Sequence, residues 1–236
     1  MSQDVTLLDG LLPDRVRWAQ AVVPEVSAAA VGDGRFETIE SDLFPEEREH
    51  VAQAVAKRRA EFAAVRRCAR RALRELGFPP VPILPGEHRE PRWPEGVVGS
   101  MTHCAGYCAA AVAHAGDVPV LGMDAEVHAP LPDGVLDLIS VPAERERMAA
   151  LAAGPADVHW DRVLFSAKES VYKAWFPLTR RWLGFEQADI VLRPDGTFTA
   201  KLLLGEAEAA TLPAGFAGRW AVEGGLTATA IGEVVE

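Results

Sequence analysis

Two acids separated by one position, Asp124 and Glu126 in the run Gly122-Met123-Asp124-Ala125-Glu126, are the first residues whose spacing could do chemistry. On a strand, alternate side chains share a face, so both carboxylates project to one side with Cα atoms about 6.5–7 Å apart. Two carboxylates at about 5 Å and an effective dielectric of about 20 repel by on the order of 3 kcal/mol. Either water screens them at an exposed strand end or a positive group offsets the repulsion. A hard divalent cation is one such group, and magnesium, which keeps several waters and shares phosphate oxygens, suits a site with few protein ligands.

A third carboxylate stands in Phe165-Ser166-Ala167-Lys168-Glu169-Ser170-Val171-Tyr172-Lys173-Ala174-Trp175. The pattern predicts a helix over His159 to Phe176. Trp160, Val163, Leu164, Ala167, Val171, Ala174 and Trp175 form its main apolar stripe, and Phe165, Tyr172 and Phe176 flank it. A narrow polar strip of Arg162, Ser166, Glu169 and Lys173 remains. A helix covered on two sides does not need such a strip for solubility, so these groups line a cleft in one reading, with Lys168 and Lys173 meeting phosphate oxygens as mobile charges. In the other they form a surface i,i+4 pair worth about 0.2–0.5 kcal/mol.

An anion would also be met by the segment from Lys57 to Arg74, which carries eight basic residues and one acid, Glu61. Residues 42 to 77 read as one helix, with Pro45 in its first turn and Gly77 with Pro79-Pro80 at its end. Arg58 then falls within an apolar stripe of Val51, Val55, Phe62, Val65, Ala69, Leu73 and Leu76. An unpaired guanidinium cannot be buried, so either the helix breaks near residues 57 to 60 or Arg58 reaches an anion. Gly99-Ser100-Met101-Thr102-His103 ends a strand at a tight turn, where backbone N–H groups, a hydroxyl and an imidazole could hold a phosphate, or where the histidine simply packs. Cys104 and Cys108 with one neighbouring histidine do not make a zinc pattern.

The elements that must position these residues are two strands at Val97 to His103 and Tyr107 to His114, and a third at Val120 to Glu126. A helix is expected over Ala143 to Ala153, ended by Gly154-Pro155. Further strands are expected at Ala188 to Leu192, Thr197 to Leu204, Arg219 to Val222 and Leu226 to Ile231. Leu7 to Val23 is read as a helix. Each half holds helix and antiparallel hairpin material, so the expected architecture is two similar α+β subdomains meeting near residues 116 to 120. The 236 residues suffice for one large or two small domains at about 150 residues each. With 49% apolar and 25% charged residues, disordered and disulfide-stapled classes are excluded. No apolar run approaches the roughly 20 residues of a membrane span, and the N-terminal acids do not fit a secretory signal. An odd count of three cysteines fits a reducing cytoplasm, and a net charge of −10 argues against nucleic acid as a partner.

Four ordered blocks, KRRAEFAAVRRCARRAL, GSMTHC, GMDAE and FSAKESVYKAW, give the chain its resemblance to the 4'-phosphopantetheinyl transferases of the larger, pseudo-dimeric class serving siderophore, peptide and polyketide synthases. The resemblance runs from about Lys57 to the end. It implies an α+β pseudo-dimer in which each subdomain has a small antiparallel sheet packed by a long helix. Residues 1–119 would carry the nucleotide-binding basic helix, and residues 120–236 the metal site and the carrier-docking surface. The activity it implies is transfer of the phosphopantetheine arm of coenzyme A to a serine of an apo acyl or peptidyl carrier protein, releasing 3',5'-ADP, with Mg2+ or Mn2+.

By the same resemblance Asp124, Glu126 and Glu169 hold the metal, and Lys168 and Lys173 meet the pyrophosphate. Arg58, Arg66, Thr102 and His103 meet the nucleotide and its 3'-phosphate, with His88 or Arg89 from the preceding loop as a further contact. Glu169, or a water beside it, takes the serine proton, and Lys173 joins it as a catalytic group. The class acts as a cytoplasmic monomer, without membrane or nucleic acid. Read from the residues themselves, Arg180, Arg181 and Trp182 are either a small apolar and basic patch for carrier docking or a solvated turn. Two other functions use the same residues: a magnesium-dependent nucleotide phosphohydrolase, with water as nucleophile, and a non-catalytic coenzyme A binding module.

Overall fold

A computed structural model describes residues 7–22, 41–152, 157–205 and 209–235. They divide into two compact units, one of residues 14–119 and one joining residues 7–13 to residues 120–234. The expected end of the helix at Gly154-Pro155 lies outside the described residues, as does Val23. Each unit is an antiparallel sheet, of three and five strands respectively, with a 20-residue helix packed on it.

In the first unit, β1 (Arg17–Val22), β2 (Val97–Cys104) and β3 (Tyr107–His114) form a sheet ordered β1-β3-β2. Ala105 and Gly106 close the β2–β3 hairpin. Gly106 has φ +78°, a conformation the tight turn needs and side chains resist. Helix α1 (Pro45–Val51) precedes the long helix α2 (Ala56–Glu75). Small residues on both sides, Ala64, Cys68, Ala69 and Ala72 against Ala19, Cys108 and Ala110, form the core between helix and sheet. At its end Gly77 N–H reaches the Arg74 carbonyl and Phe78 N–H that of Leu73, the paired bonds of a glycine-terminated helix.

Two expectations are corrected here. Residues 42 to 77 are not one helix, because the chain breaks at residues 52–55 and Val55 is extended and exposed. Arg58 therefore lies in the first turn of α2, half exposed, and not within an apolar stripe. Leu7 to Val22 is not helical either. Gly10 and Pro13 break it into turns, followed by β1, and residues 7–13, with buried Leu7, Leu8 and Leu11, group with the second unit.

The second unit comprises β4 (Val120–Val127), α3 (Val135–Ile139), α4 (Pro142–Leu151), α5 (Trp160–Thr179), β5 (Ala188–Leu192), β6 (Thr197–Leu202), β7 (Gly215–Glu223) and β8 (Leu226–Glu233). Its sheet runs β4-β8-β7-β6-β5. The apolar stripe of α5, with Val163, Leu164, Ala167, Val171, Ala174 and Trp175, packs with Ile190, Phe198, Trp220 and Ile231.

Both units use one buried device. In the first, Glu47, in the first turn of α1, accepts the Phe44 N–H at 3.0 Å and the Ile83 N–H at 2.8 Å, and pairs with Arg70 of the long helix at 2.9 Å. In the second, Glu144, in the first turn of α4, accepts the Val141 N–H at 2.8 Å and the Ile190 N–H at 2.6 Å, and pairs with Lys168 of the long helix at 2.9 Å. Each follows a proline by two positions, as in a helix start whose third residue reaches back to the cap. Lys168 also donates to the carbonyls of Phe185 and Ala188 and is 2% exposed, so the expected pyrophosphate contact is corrected: its three N–H donors are spent inside the fold. Removing one partner of a buried pair strands the other charge. Glu144→Ala should thus lower unfolding stability by about 3–5 kcal/mol in urea titration; a loss below about 1 kcal/mol would contradict this assignment.

Candidate active site

Gly122, Asp124 and Glu126 alternate along β4 and so share a face, and Gly122 shows where that face points. A Cβ on Gly122 would overlap the Ser170 carbonyl oxygen and come within 2.7 Å of the Ala174 nitrogen. The backbone of α5 thus rests directly on the strand at this glycine. Ser166 and Ser170, four apart on α5, fix it further by bonding Thr229, the cross-strand partner of Asp124.

That seating aims the polar strip of α5 at the acids. Lys173 donates to Asp124 Oδ1 at 2.7 Å, and Asp124 is only 4% exposed. Arg162 donates to Glu126 Oε2 at 3.3 Å. Burial first, and then the Asp124 charge, push the Glu126 carboxyl up to about 7, with Glu169 adding in the same direction and Arg162 and Lys173 opposing. Burial also raises Glu169, with Lys173 pulling it down and Asp124 pushing it up. Glu126 therefore feels the charges of Asp124 and Glu169, and Glu169 that of Asp124.

An oxygen-only set of three carboxylates fits a hard cation in donor chemistry. Among the described residues no three such side chains already converge as a ligand set. Asp124 and Glu126 are turned to Lys173 and Arg162, which supply the positive charge that the repulsion demands. The role of Arg162 was missed in the sequence, although it stands seven residues, two helical turns, before Glu169 on the same strip.

In the first unit, Arg58 Nη1 lies 3.1 Å from His103 Nε2, and Glu61 Oε2 lies 3.6 Å from the same nitrogen and 3.9 Å from Arg58. The structure thus joins two of the expected nucleotide contacts. Glu61, three residues after Arg58, was missed; its one signal was that helical spacing. Of the others, Arg66 lies near enough to feel the Arg58 charge. Arg66 is buried, its guanidinium over the Phe62 ring and its Nε donating to the Ile83 carbonyl at 2.8 Å; burial lowers it to about 9, still charged at neutral pH. Thr102 is buried and, as the strand neighbour of His103, faces the opposite side of the sheet. His88 and Arg89 are exposed at the tip of a turn closed by the Pro85–Pro91 bridge. Past the end of α5, Trp182 is 75% exposed with its ring 5.1 Å from that of Tyr172, and Arg180 lies over Phe176.

Comparison with known proteins identifies what this arrangement belongs to. The 4'-phosphopantetheinyl transferase N-terminal domain matches residues 46–113, and the 4'-phosphopantetheinyl transferase superfamily matches residues 120–222. The chain is 60% identical over 191 residues to 4'-phosphopantetheinyl transferase Svp of Streptomyces mobaraensis, covering 80% of this chain and 78% of that protein. It is 53% identical over 194 residues to 4'-phosphopantetheinyl transferase PptT of Mycobacterium tuberculosis, covering 80% and 85%. Enterobactin synthase component D of Escherichia coli O157:H7 is 42% identical over 130 residues, 53% of this chain and 60% of that one. The chain belongs to the 4'-phosphopantetheinyl transferase superfamily and is an enzyme of that class.

Two predictions follow from the crowding of the acids. Glu126 binds its proton more tightly folded than unfolded, so between about 4.5, its ordinary value, and about 7 the folded chain keeps a proton that the unfolded chain has lost. Stability from this group falls as pH rises through that window, and the penalty is complete above it. Glu126→Gln should therefore raise the metal-free Tm at pH 8, with the gain vanishing near pH 5; an equal shift at both, read by calorimetry, would count against the crowding. Gly122→Ala must lift α5 from β4 and should cost about 1–3 kcal/mol of stability, together with most of the turnover in a carrier-loading assay.

Proposed function

We propose that this transferase moves the phosphopantetheine arm of coenzyme A to the serine hydroxyl of an apo acyl or peptidyl carrier protein, releasing 3',5'-ADP, with Asp124, Glu126 and Glu169 holding Mg2+ or Mn2+. The observation that carries the reading is Asp124, buried on the β4 face that lies against α5, bonded at 2.7 Å to Lys173 of the helix that also bears Glu169. The bound cation would supply charge neutralisation at the pyrophosphate, where positioning and electrostatics dominate phosphoryl transfer.

The protein side of the chemistry follows from the same residues. Lys173, which answers Asp124 in the ligand-free chain, is placed to turn to a pyrophosphate oxygen once the acids gain another counter-charge. Glu169 is the group assigned to accept the serine proton: its burial raises its affinity for protons, which makes it a better base near neutral pH than an ordinary carboxylate. Arg58 and His103 are assigned to the nucleotide 3'-phosphate, an anion that would displace Glu61 as their partner. Arg66 supports them from within the first unit, and Arg89 or His88 would contribute from the exposed turn. The carrier is assigned to the exposed Trp182 with Arg180 and Arg181, an apolar and basic surface that suits an acidic partner.

Mass measurement of apo carrier proteins incubated with coenzyme A and Mg2+ tests the proposal. The native chain should add the arm, and a chelator should stop it. Asp124→Ala and Glu169→Gln should each lower the rate at least about 1,000-fold with an unchanged circular dichroism spectrum. Near-native turnover by either folded variant would overturn the assignment of the acids.

A further inference from the structure

Asp124 and Glu126 lie toward the end of a strand that has a sheet partner on one side. Among the described residues β4 is an edge strand, paired to β8 alone, and Glu126↔Thr227 is the penultimate pair of that ladder, which ends at Val127. Ends of edge strands open most readily, whereas a ligating carboxylate must stay fixed. The hydrogen bonds that secure this end come from the residues that follow it.

Arg162, in the first turn of α5, donates from three separate nitrogens to three acceptors. Nε reaches the Ala129 carbonyl at 2.9 Å, Nη2 the Pro130 carbonyl at 3.1 Å, and Nη1 the Glu126 carboxylate at 3.3 Å. Asp161 beside it accepts the Leu131 N–H at 2.7 Å. His128 lies 2.7 Å from the Thr227 hydroxyl through Nδ1, which ties the start of the same segment to β8. Residues 128–131 are thus bonded along their length, and Arg162 joins that segment to Glu126 itself.

We propose that Asp161 and Arg162 are positioning residues for the transfer reaction: together they clamp residues 129–131, and through them Glu126, to the helix that carries Glu169. The inference rests on the reading of the acids as a cation site and adds the residues that set its geometry. A planar guanidinium with fixed N–H directions can serve two carbonyls and a carboxylate at once; an ammonium on a flexible stem cannot reproduce the fork. The competing role for Arg162, a mere counter-charge resting on Glu126, makes the opposite prediction, because its removal would free the acid for a cation.

The test uses the full chain and the variants Arg162→Lys, Arg162→Gln and Asp161→Ala, with two readouts. The first is hydrogen exchange of the Leu131 amide in metal-free protein, which should quicken at least about tenfold in all three. The second is Mn2+ affinity by electron paramagnetic resonance, which should weaken about tenfold in both Arg162 variants, as for outer-shell residues of metal sites. Unchanged Leu131 exchange would overturn the clamp, and so would tighter Mn2+ binding by Arg162→Gln or native Mn2+ affinity in Arg162→Lys. If the native chain bound no Mn2+ while exchange quickened in the variants, the clamp would stand and the cation reading would fall.

Discussion

Repulsion among Asp124, Glu126 and Glu169 is the constraint around which the second unit is built. Two carboxylates brought to about 5 Å at an effective dielectric of about 20 repel by on the order of 3 kcal/mol, and the Asp124 and Glu169 charges both raise the proton affinity of Glu126. The fold answers with Lys173 on Asp124 and Arg162 on Glu126, both from the helix that supplies Glu169. The arrangement is possible because Gly122 has no side chain: the helix backbone lies against the strand, and Arg162, two turns before Glu169, and Lys173, one turn after it, both reach the acids. Burial and neighbouring charge hold Glu126 and Glu169 above their ordinary proton affinity, a stored cost that functional sites commonly carry.

A buried ion pair in each unit fixes that unit's long helix. Glu47 and Glu144 perform the same task in their respective units, each capping a short helix, receiving a backbone N–H from isoleucine, and neutralising a cation on the long helix. Every buried oxygen and nitrogen of these pairs that the bonds involve is matched, so the charges specify one docking of the short helix on the long one rather than several. In the second unit this fixes α5 from one side, while the Ser166, Ser170 and Thr229 hydroxyls fix it from another. The core between them is apolar and dense in aromatic residues, which suits a helix that must not roll when a charged substrate arrives.

Much of this was legible in the residues. The hairpin of β2 and β3 was set by its glycine turn, and the polar strip on α5 by its 3.6-residue period, which named Arg162, Ser166, Glu169 and Lys173 together. Legibility failed where one residue type serves two environments. Lys168 and Lys173 are both lysines beside the same glutamate, and nothing local separates the one buried on Glu144 from the one facing Asp124. Arg66 and Arg58 differ in the same way. Arg58 on an apolar stripe signalled a possible break near residues 57 to 60, but the actual break at residues 52–55 has no proline or glycine to mark it.

Sequence by itself determined the chemistry available: which acids and cations exist, that Asp124 and Glu126 share a strand face, and that Glu169 and Lys173 share a helix face, since period and chirality are local properties of the backbone. Ordered motifs further determined the family. Tertiary structure alone decided which cations answer which acids, that Lys168 is interior, that Thr102 is buried while His103 meets Arg58, and that residues 129–131 are tied to Arg162 and Asp161. These are pairings between residues far apart in the chain, and the free energy that selects among them comes from burial and packing, which no local pattern encodes.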